Sequence, residues 1–142
     1  MRIAMIAMSG IRCCDKELLR KGLTLPGFVE RSQTIASLPS LSLLTLAGMT
    51  PAEHEVTYIE VSDLQQMDGL PQAFDLVAIS GFSAQIGEAY ILAGRYRELN
   101  VPVVLGGLHV TSVPDEALEH ADAIVVGEGE VVWLDVLRDA EA

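Results

Sequence analysis

Residues 75–83 read DLVAISGFS, a mainly apolar run (Asp75–Ser80) that breaks at Gly81. Three further apolar runs break in the same way, at a serine or a glycine. They are Ile3–Met8 before Ser9, Val101–Leu105 before Gly106, and Ala123–Val126 before Gly127. Continuous apolar runs of this length are typical of parallel strands that are buried on both faces. The repetition predicts several glycine-containing loops at one edge of a parallel sheet, where open α/β folds bind cofactors.

The segments between these runs carry helical patterns, and one more strand completes the set. His54–Glu60 alternates apolar and polar residues, which indicates an edge strand with one exposed face. Helices are predicted at Ser40–Met49, Ser83–Leu99, Pro114–His120 and Glu128–Leu137. Because strands and helices alternate, the crossovers should be right-handed and the sheet parallel. We therefore expect a flavodoxin-like (Rossmann-type) α/β domain, with a doubly wound five-stranded parallel sheet in the order 2-1-3-4-5.

The 142 residues are enough for one domain with a sizeable core. Residues 9–39 fit this scheme poorly, because the segment is too long for an ordinary strand-to-helix connection; we expect a long irregular loop at the cofactor edge. No uncharged apolar stretch could span a bilayer, and no signal-peptide cleavage site follows the first strand. These features predict a cytoplasmic protein without a membrane partner.

Charge and cysteine content exclude other classes of function. The formal net charge of −11 argues against nucleic acid as a partner, since phosphate binding needs a basic face. The two cysteines, Cys13 and Cys14, are adjacent and cannot by themselves form a structural zinc site. We expect them to be reduced thiols, and no metal-ligating residues are predicted.

The loops that follow the strands do not match the common nucleotide motifs. The stretch after the first strand, SGIR at 9–12, lacks the G-x-G-x-x-G of dinucleotide-binding domains, and the sequence has no P-loop. Ser9 alone is not the Ser/Thr-rich phosphate cradle of a flavodoxin. A phospho-receiver domain would need an aspartate where Ser80 stands. NAD, FAD, FMN and phosphoryl chemistry are therefore not expected.

Small residues nevertheless cluster after three neighbouring strands, and glycines there let a large flat ligand approach the backbone. Ser83 could be a donor to that ligand or the N-cap of the next helix. His109 could be a polar residue at the rim, or a contact to a cofactor or a neighbouring domain. The candidate binding residues are Ser9, Ser80, Gly81, Phe82, Ser83, Gly106, Gly107, His109, Gly127, Glu128 and Gly129.

Four segments, read in order, carry a family resemblance: ISGFSAQ at 79–85, VVLGGLHVT at 103–111, PDEA at 114–117 and VVGEGE at 125–130. Together they resemble the N-terminal cobalamin-binding domain of B12-dependent radical SAM enzymes. The resemblance implies that cobalamin binds across the carboxyl edge of the strands. It also implies that Ser80 and Ser83 contact the nucleotide tail, that Gly106 and Gly107 let the tail pass, and that Gly127–Gly129 line its other side.

Two departures from related patterns qualify this expectation. The stretch after the first strand lacks the D-x-H-x-x-G of other B12 domains, so no lower histidine ligand to cobalt is predicted. The C-x-x-x-C-x-x-C motif that holds a [4Fe–4S] cluster is also missing. The cluster and S-adenosylmethionine are therefore expected only in a missing C-terminal radical SAM domain of the parent enzyme. We expect a domain truncated after residue 142, with no catalytic centre of its own.

The leading hypothesis is thus a cobalamin-binding module of a B12-dependent radical SAM enzyme that performs methyl transfer or related chemistry. The alternative is a cofactor-free, flavodoxin-like protein-interaction domain whose last helix is a docking face, with Val131, Val132, Trp133 and Leu134. A third hypothesis is a small enzyme that uses Ser80, Ser83 and His109.

Overall fold

The computed structural model describes residues 1–9, 39–71 and 73–142. In chain order the elements are β1 (Arg2–Met8), α1 (Leu41–Met49), β2 (Glu55–Val61), β3 (Leu76–Ser80), α2 (Ile86–Glu98), β4 (Val103–Gly106), α3 (Leu108–Ser112), α4 (Pro114–His120), β5 (Ala123–Ile124) and α5 (Gly129–Glu141). Two short 3₁₀ helices cover Leu64–Gln66 and Ser83–Gln85. Apart from its two ends, the loop expected at 9–39 lies outside the described residues.

The five strands form one parallel sheet in the order β2-β1-β3-β4-β5. This arrangement confirms the predicted doubly wound, flavodoxin-like fold with strand order 2-1-3-4-5. Strand β2 lies at one edge, as its alternating pattern predicted, and residues 3–8 of β1 are buried on both faces. Because all strands are parallel, their carboxyl ends and the loops that follow them meet at one edge of the sheet.

The alternation of side chains along the strands creates two cores, one on each face of the sheet. On one face, Val77 and Ile79 pack with Leu92 and Tyr96 of α2, together with residues of α3 and α4. The opposite core is formed by Ile3, Met5, Leu76, Ala78 and Val104 from the sheet with Leu43, Leu46, Trp133 and Leu137 from α1 and α5. The carboxyl edge is therefore flanked by α2–α4 on one side and by α1 and α5 on the other.

The bounds of several elements differ from the sequence-based expectation, and one short helix was not predicted. Strand β5 ends at Ile124, although Val125 still donates a backbone hydrogen bond to Leu105 O at 2.8 Å. The predicted helix Ser83–Leu99 begins as a 3₁₀ turn and becomes α-helical only at Ile86. Helix α3 was missed, because five residues make little more than one turn and cannot show a helical period.

The docking face proposed for the last helix is wrong for Trp133. Its side chain is buried, it packs in the core formed with α1, and its Nε1 donates to Thr50 Oγ1 at 2.9 Å. Only Val131 and Leu134 on that helix are exposed large hydrophobic residues. The longest helices of the described residues have 13 residues, and none is long and apolar enough to cross a bilayer.

Candidate cofactor site

A cavity of about 130 Å³ lies at the carboxyl edge, between the sheet and helices α1 and α5; we call it the slot. Its floor is formed by five buried apolar side chains, those of Leu43, Leu46, Ala78, Val104 and Trp133. Its mouth is formed by small and polar residues at or just after the ends of three strands, namely Ser80, Gly106, Gly107, Gly127, Glu128 and Gly129. The sequence-predicted residues at the mouth are thus brought together by the ends of β3, β4 and β5.

Strand alternation explains why Ser80 and Gly106 face the slot. Ser80 shares its face of β3 with Ala78, and Gly106 shares its face of β4 with Val104. Ser80 and Gly106 are also direct partners in the register of the two strands. The hydroxyl of Ser80 therefore lies beside a position that has no side chain, which keeps the mouth of the slot open.

One glycine at the mouth, Gly107, is required by the backbone. Gly107 has a φ of +105°, and a Cβ atom there would lie 2.9 Å from both Gly81 O and Ser80 Oγ. A glycine is therefore needed for the loop after β4 to pack against the loop after β3. At Gly129 a Cβ atom would lie 3.4 Å from Leu46 Cδ1, which is an ordinary van der Waals contact, so a side chain there is not excluded.

The other predicted binding residues do not line the slot. Ser9 is buried after β1, its amide donates to Val61 O at 2.8 Å, and its Oγ has no hydrogen-bond partner among the described residues. Gly81 faces Met8, whose Cβ would be 3.2 Å from an added Cβ atom. Phe82 is 57% exposed in the loop that follows. The contacts of these three residues with a cofactor remain predictions.

Ser83 and His109 form a separate cluster, on the α2–α4 side of the edge. Ser83 Oγ lies 2.9 Å from His109 Nδ1, and His109 Nε2 lies 3.3 Å from Glu116 Oε1. Because a carboxylate can only accept, Nε2 carries a proton, and in the neutral ring Nδ1 accepts from the Ser83 hydroxyl. Ser83 makes no side-chain cap to the following helix, so the N-cap alternative is not supported, and its contact with a ligand stays a prediction. Ser80 faces the other side of the sheet, so the proposed trio Ser80, Ser83 and His109 is divided.

Tyr90 and His120 complete the cluster, and neither of them was predicted from the sequence to be a site residue. Tyr90 on α2 donates to Glu116 Oε1 at 3.0 Å, and its ring stacks on His120 with centroids 3.9 Å apart. Hydrogen bonds from Tyr90 and then from His109 lower the pKa of Glu116. Burial, and then the contact with Glu116, raises the pKa of Tyr90 to about 12. At neutral pH the tyrosine is therefore a donor and the glutamate an acceptor.

Replacing Glu116 with glutamine is expected to lower stability at neutral pH, because an amide accepts hydrogen bonds more weakly than a carboxylate. Because the pKa of Glu116 is lowered in the folded state, the contribution of its carboxylate to folding stability is fully present above the ordinary glutamate pKa. It is lost as the pH falls through the lowered value. Urea unfolding should therefore show a difference between wild type and Glu116→Gln at neutral pH that closes in acid.

The matched control for this prediction is Glu119→Gln on the same helix, since the Glu119 side chain accepts no hydrogen bond from the described residues. This control should unfold like the wild type at both pH values. A difference for Glu116→Gln that persists unchanged in acid would contradict the role given to its carboxylate.

Comparison with known proteins identifies the family. A family model for the B12 binding domain matches residues 36–137. The chain belongs to the B12-binding domain family. The matched range contains every described residue that lines the slot. The B12-binding part of the resemblance read from the four sequence segments is thereby confirmed.

Three curated relatives of this B12-binding domain are methyltransferases by name. This chain is 36% identical over 101 residues to bacteriochlorophyllide d C-8(2)-methyltransferase of Chlorobaculum tepidum, and the alignment covers 70% of this chain and 22% of the relative. The chain is 32% identical over 106 residues to bacteriochlorophyllide d C-12(1)-methyltransferase of the same organism, and this alignment covers 72% of the chain and 22% of the relative. An uncharacterized methyltransferase of Pyrococcus horikoshii is 34% identical over 110 residues, covering 70% and 24%. The aligned region is thus less than a quarter of these relatives' length. No solved structure matches the chain.

Proposed function

We propose that this domain binds a corrinoid by taking its nucleotide tail into the slot, as the B12-binding module of a methyltransferase. The observation that carries the proposal is the slot itself, an apolar cavity with a glycine-lined mouth at the carboxyl edge. When bound, the corrinoid supplies a cobalt centre that can carry a methyl group. The contribution of this chain is to bind and orient that group.

The slot has the size and chemistry that the tail requires. Protein interiors are close-packed and rarely keep voids larger than a water molecule, so a cavity of about 130 Å³ needs an explanation. Apolar cavities of roughly 150 Å³ hold a single aromatic ring in other proteins. The planar base of a corrinoid tail could therefore place one ring against the apolar floor, with the rest of the tail at the mouth.

The residues at the mouth would hold the remainder of the tail. Ser80 Oγ makes no hydrogen bond to another described residue and is available as a donor beside the open position at Gly106. Gly106 and Gly107 leave room on one side of the mouth, and Gly127–Gly129 form the other side. The Ser83–His109–Glu116 cluster would hold the loop after β3 in place, because its contacts join this loop to helices α3 and α4.

We further propose that the parent protein is a cytoplasmic radical SAM methyltransferase, in which a separate domain holds the [4Fe–4S] cluster and S-adenosylmethionine. The methyltransferase names of the relatives support methyl transfer in this proposal, and the resemblance carried by the four sequence segments supports its radical SAM part. The short aligned share of those relatives, 22–24% of their length, supports a larger parent. Methyl donor, acceptor and substrate specificity would then lie outside this chain.

A cofactor-free interaction domain is the second candidate function. Val131 and Leu134 favour it, because they are 80% and 49% exposed on one side of α5. In a corrinoid-binding module the same residues would face the rest of the enzyme. The two candidates differ in whether the domain alone retains a corrinoid.

The test is retention of hydroxocobalamin by the purified, folded protein. After mixing and passage over a desalting column, we expect stoichiometric corrinoid absorbance to co-elute with the protein. The visible band positions would report the axial ligands of the cobalt. A folded protein that elutes without colour would contradict the proposal and favour the interaction domain.

A further inference from the structure

We infer that the slot selects among corrinoids by their lower base, favouring a dimethylbenzimidazole over a purine. This inference rests on the proposed function and adds a ligand specificity to it. It follows from how polar and apolar groups are distributed along the depth of the slot.

Among the residues that the structure describes, the floor of the slot offers no free side-chain hydrogen-bonding group. Leu43, Leu46, Ala78 and Val104 are aliphatic and at most 9% exposed. The indole Nε1 of Trp133 is the one polar side-chain atom of the floor, and it already donates to Thr50 Oγ1 at 2.9 Å. The backbone groups of the sheet at this depth are already used in the hydrogen-bonded β3–β4 ladder, in which Ala78 and Val104 are partners.

In the described part of the chain, polar side chains line the slot only near its mouth. Ser42 is exposed at the start of α1 and lies 3.1 Å, Oγ to Oγ, from Ser40. Ser80 is half-buried, Glu128 is exposed and Glu130 is half-buried. A ligand that enters from the carboxyl edge therefore passes polar groups first and then meets an apolar floor.

The two classes of base differ in what they would bring to that floor. Dimethylbenzimidazole carries two methyl groups on its outer ring, and their burial is favourable. A purine such as adenine carries an exocyclic amine and ring nitrogens, which would lose hydrogen bonds to water and find no partner on the floor. Both bases are fused two-ring systems of similar size, so size gives little discrimination. We expect the purine form to bind at least about tenfold more weakly, from one unpaired buried polar group.

The experiment compares the dissociation constants of three corrinoids with the wild-type protein by absorbance titration. They are hydroxocobalamin, its adeninyl counterpart, and cobinamide, which lacks the base. The inference expects hydroxocobalamin to bind tightest by at least about tenfold. Equal or tighter binding of the adeninyl form would overturn the inference and leave the proposed function standing. Binding of none of the three, or of cobinamide as tightly as hydroxocobalamin, would overturn tail insertion itself.

A matched pair of variants tests whether the apolar floor is responsible for the preference between the two corrinoids. Val104→Thr is nearly isosteric and places a hydroxyl on the floor. It should therefore reduce the factor by which hydroxocobalamin binds more tightly than the adeninyl form. Val103→Thr introduces the same group one residue earlier, into the core on the α2–α4 face, and should leave the ratio unchanged. Equal effects of both variants, or no effect of Val104→Thr, would overturn the role of the floor. If Val104→Thr does not fold, Ala78→Ser makes the same test from β3.

Discussion

Replacing Gly106 with valine is expected to abolish corrinoid binding while the domain remains folded. An added Cβ atom at Gly106 would make only ordinary contacts, 3.8 Å from Val125 Cβ and 3.9 Å from Val125 O. Valine also suits a strand position. Its methyl groups would nevertheless occupy the mouth of the slot, and a planar base cannot share close-packed space with them. Hydroxocobalamin affinity should fall by at least about 100-fold, because overpacking leaves no route to the floor.

The matched control is Gly94→Val on α2, where an added Cβ atom meets nothing within 4 Å. It should bind hydroxocobalamin like the wild type. Gly107 is unsuitable for this purpose, since its positive φ and the 2.9 Å approaches would strain the fold whatever the ligand. If folded Gly106→Val kept the wild-type dissociation constant, the tail would not enter beside Gly106.

Replacing Trp133 with alanine is expected to destabilise the domain by about 3–5 kcal/mol, the range for removing a fully buried large aromatic side chain. Trp133 is 1% exposed and joins α5 to α1 through apolar contacts and its hydrogen bond to Thr50. Thr50 Oγ1 keeps its own bond to Leu46 O at 2.8 Å, so the loss would come mainly from the cavity. Urea unfolding followed by circular dichroism measures the change in the free energy of unfolding.

Val131→Ala is the control for this prediction, because Val131 lies two residues away on the same helix and is 80% exposed. Its effect should stay within about 0.5 kcal/mol, as for most surface substitutions. A docking role for Trp133 predicts the opposite pattern, with stability unchanged in Trp133→Ala. Equal stability of wild type and Trp133→Ala would therefore show that this side chain is not part of the core.

Much of the fold could be predicted from the sequence because buried parallel strands leave a strong local signal. The runs at Ile3–Met8 and Asp75–Ser80 contain little besides apolar residues, and each ends at a small residue where the chain turns. Their alternation with helical patterns was enough to predict the strand order, since crossover handedness permits few topologies. Signals were weak where elements are short, which is why β5 was predicted too long and α3 was missed.

The site was only partly predictable, because a list of loop residues does not say which side of the sheet each one faces. Ser80 and Ser83 are three residues apart, yet one faces the slot and the other pairs with His109 on the opposite side. Glu116 belonged to a motif that carried the family resemblance, but its partners Tyr90 and His109 come from other helices. The apolar pattern of the last helix likewise did not distinguish Trp133 in the core from Val131 at the surface.

The sequence by itself determined the strands, their order, and the edge of the sheet where small residues collect. Local apolar patterning and chain connectivity decide these features, and both can be read along the chain. The tertiary structure alone decided that five apolar side chains from four elements leave a cavity of about 130 Å³, and that Ser80, Glu128 and four glycines at the ends of three strands surround its mouth. A cavity is made by side chains distant in sequence, and its shape depends on how closely α1 and α5 pack on the sheet.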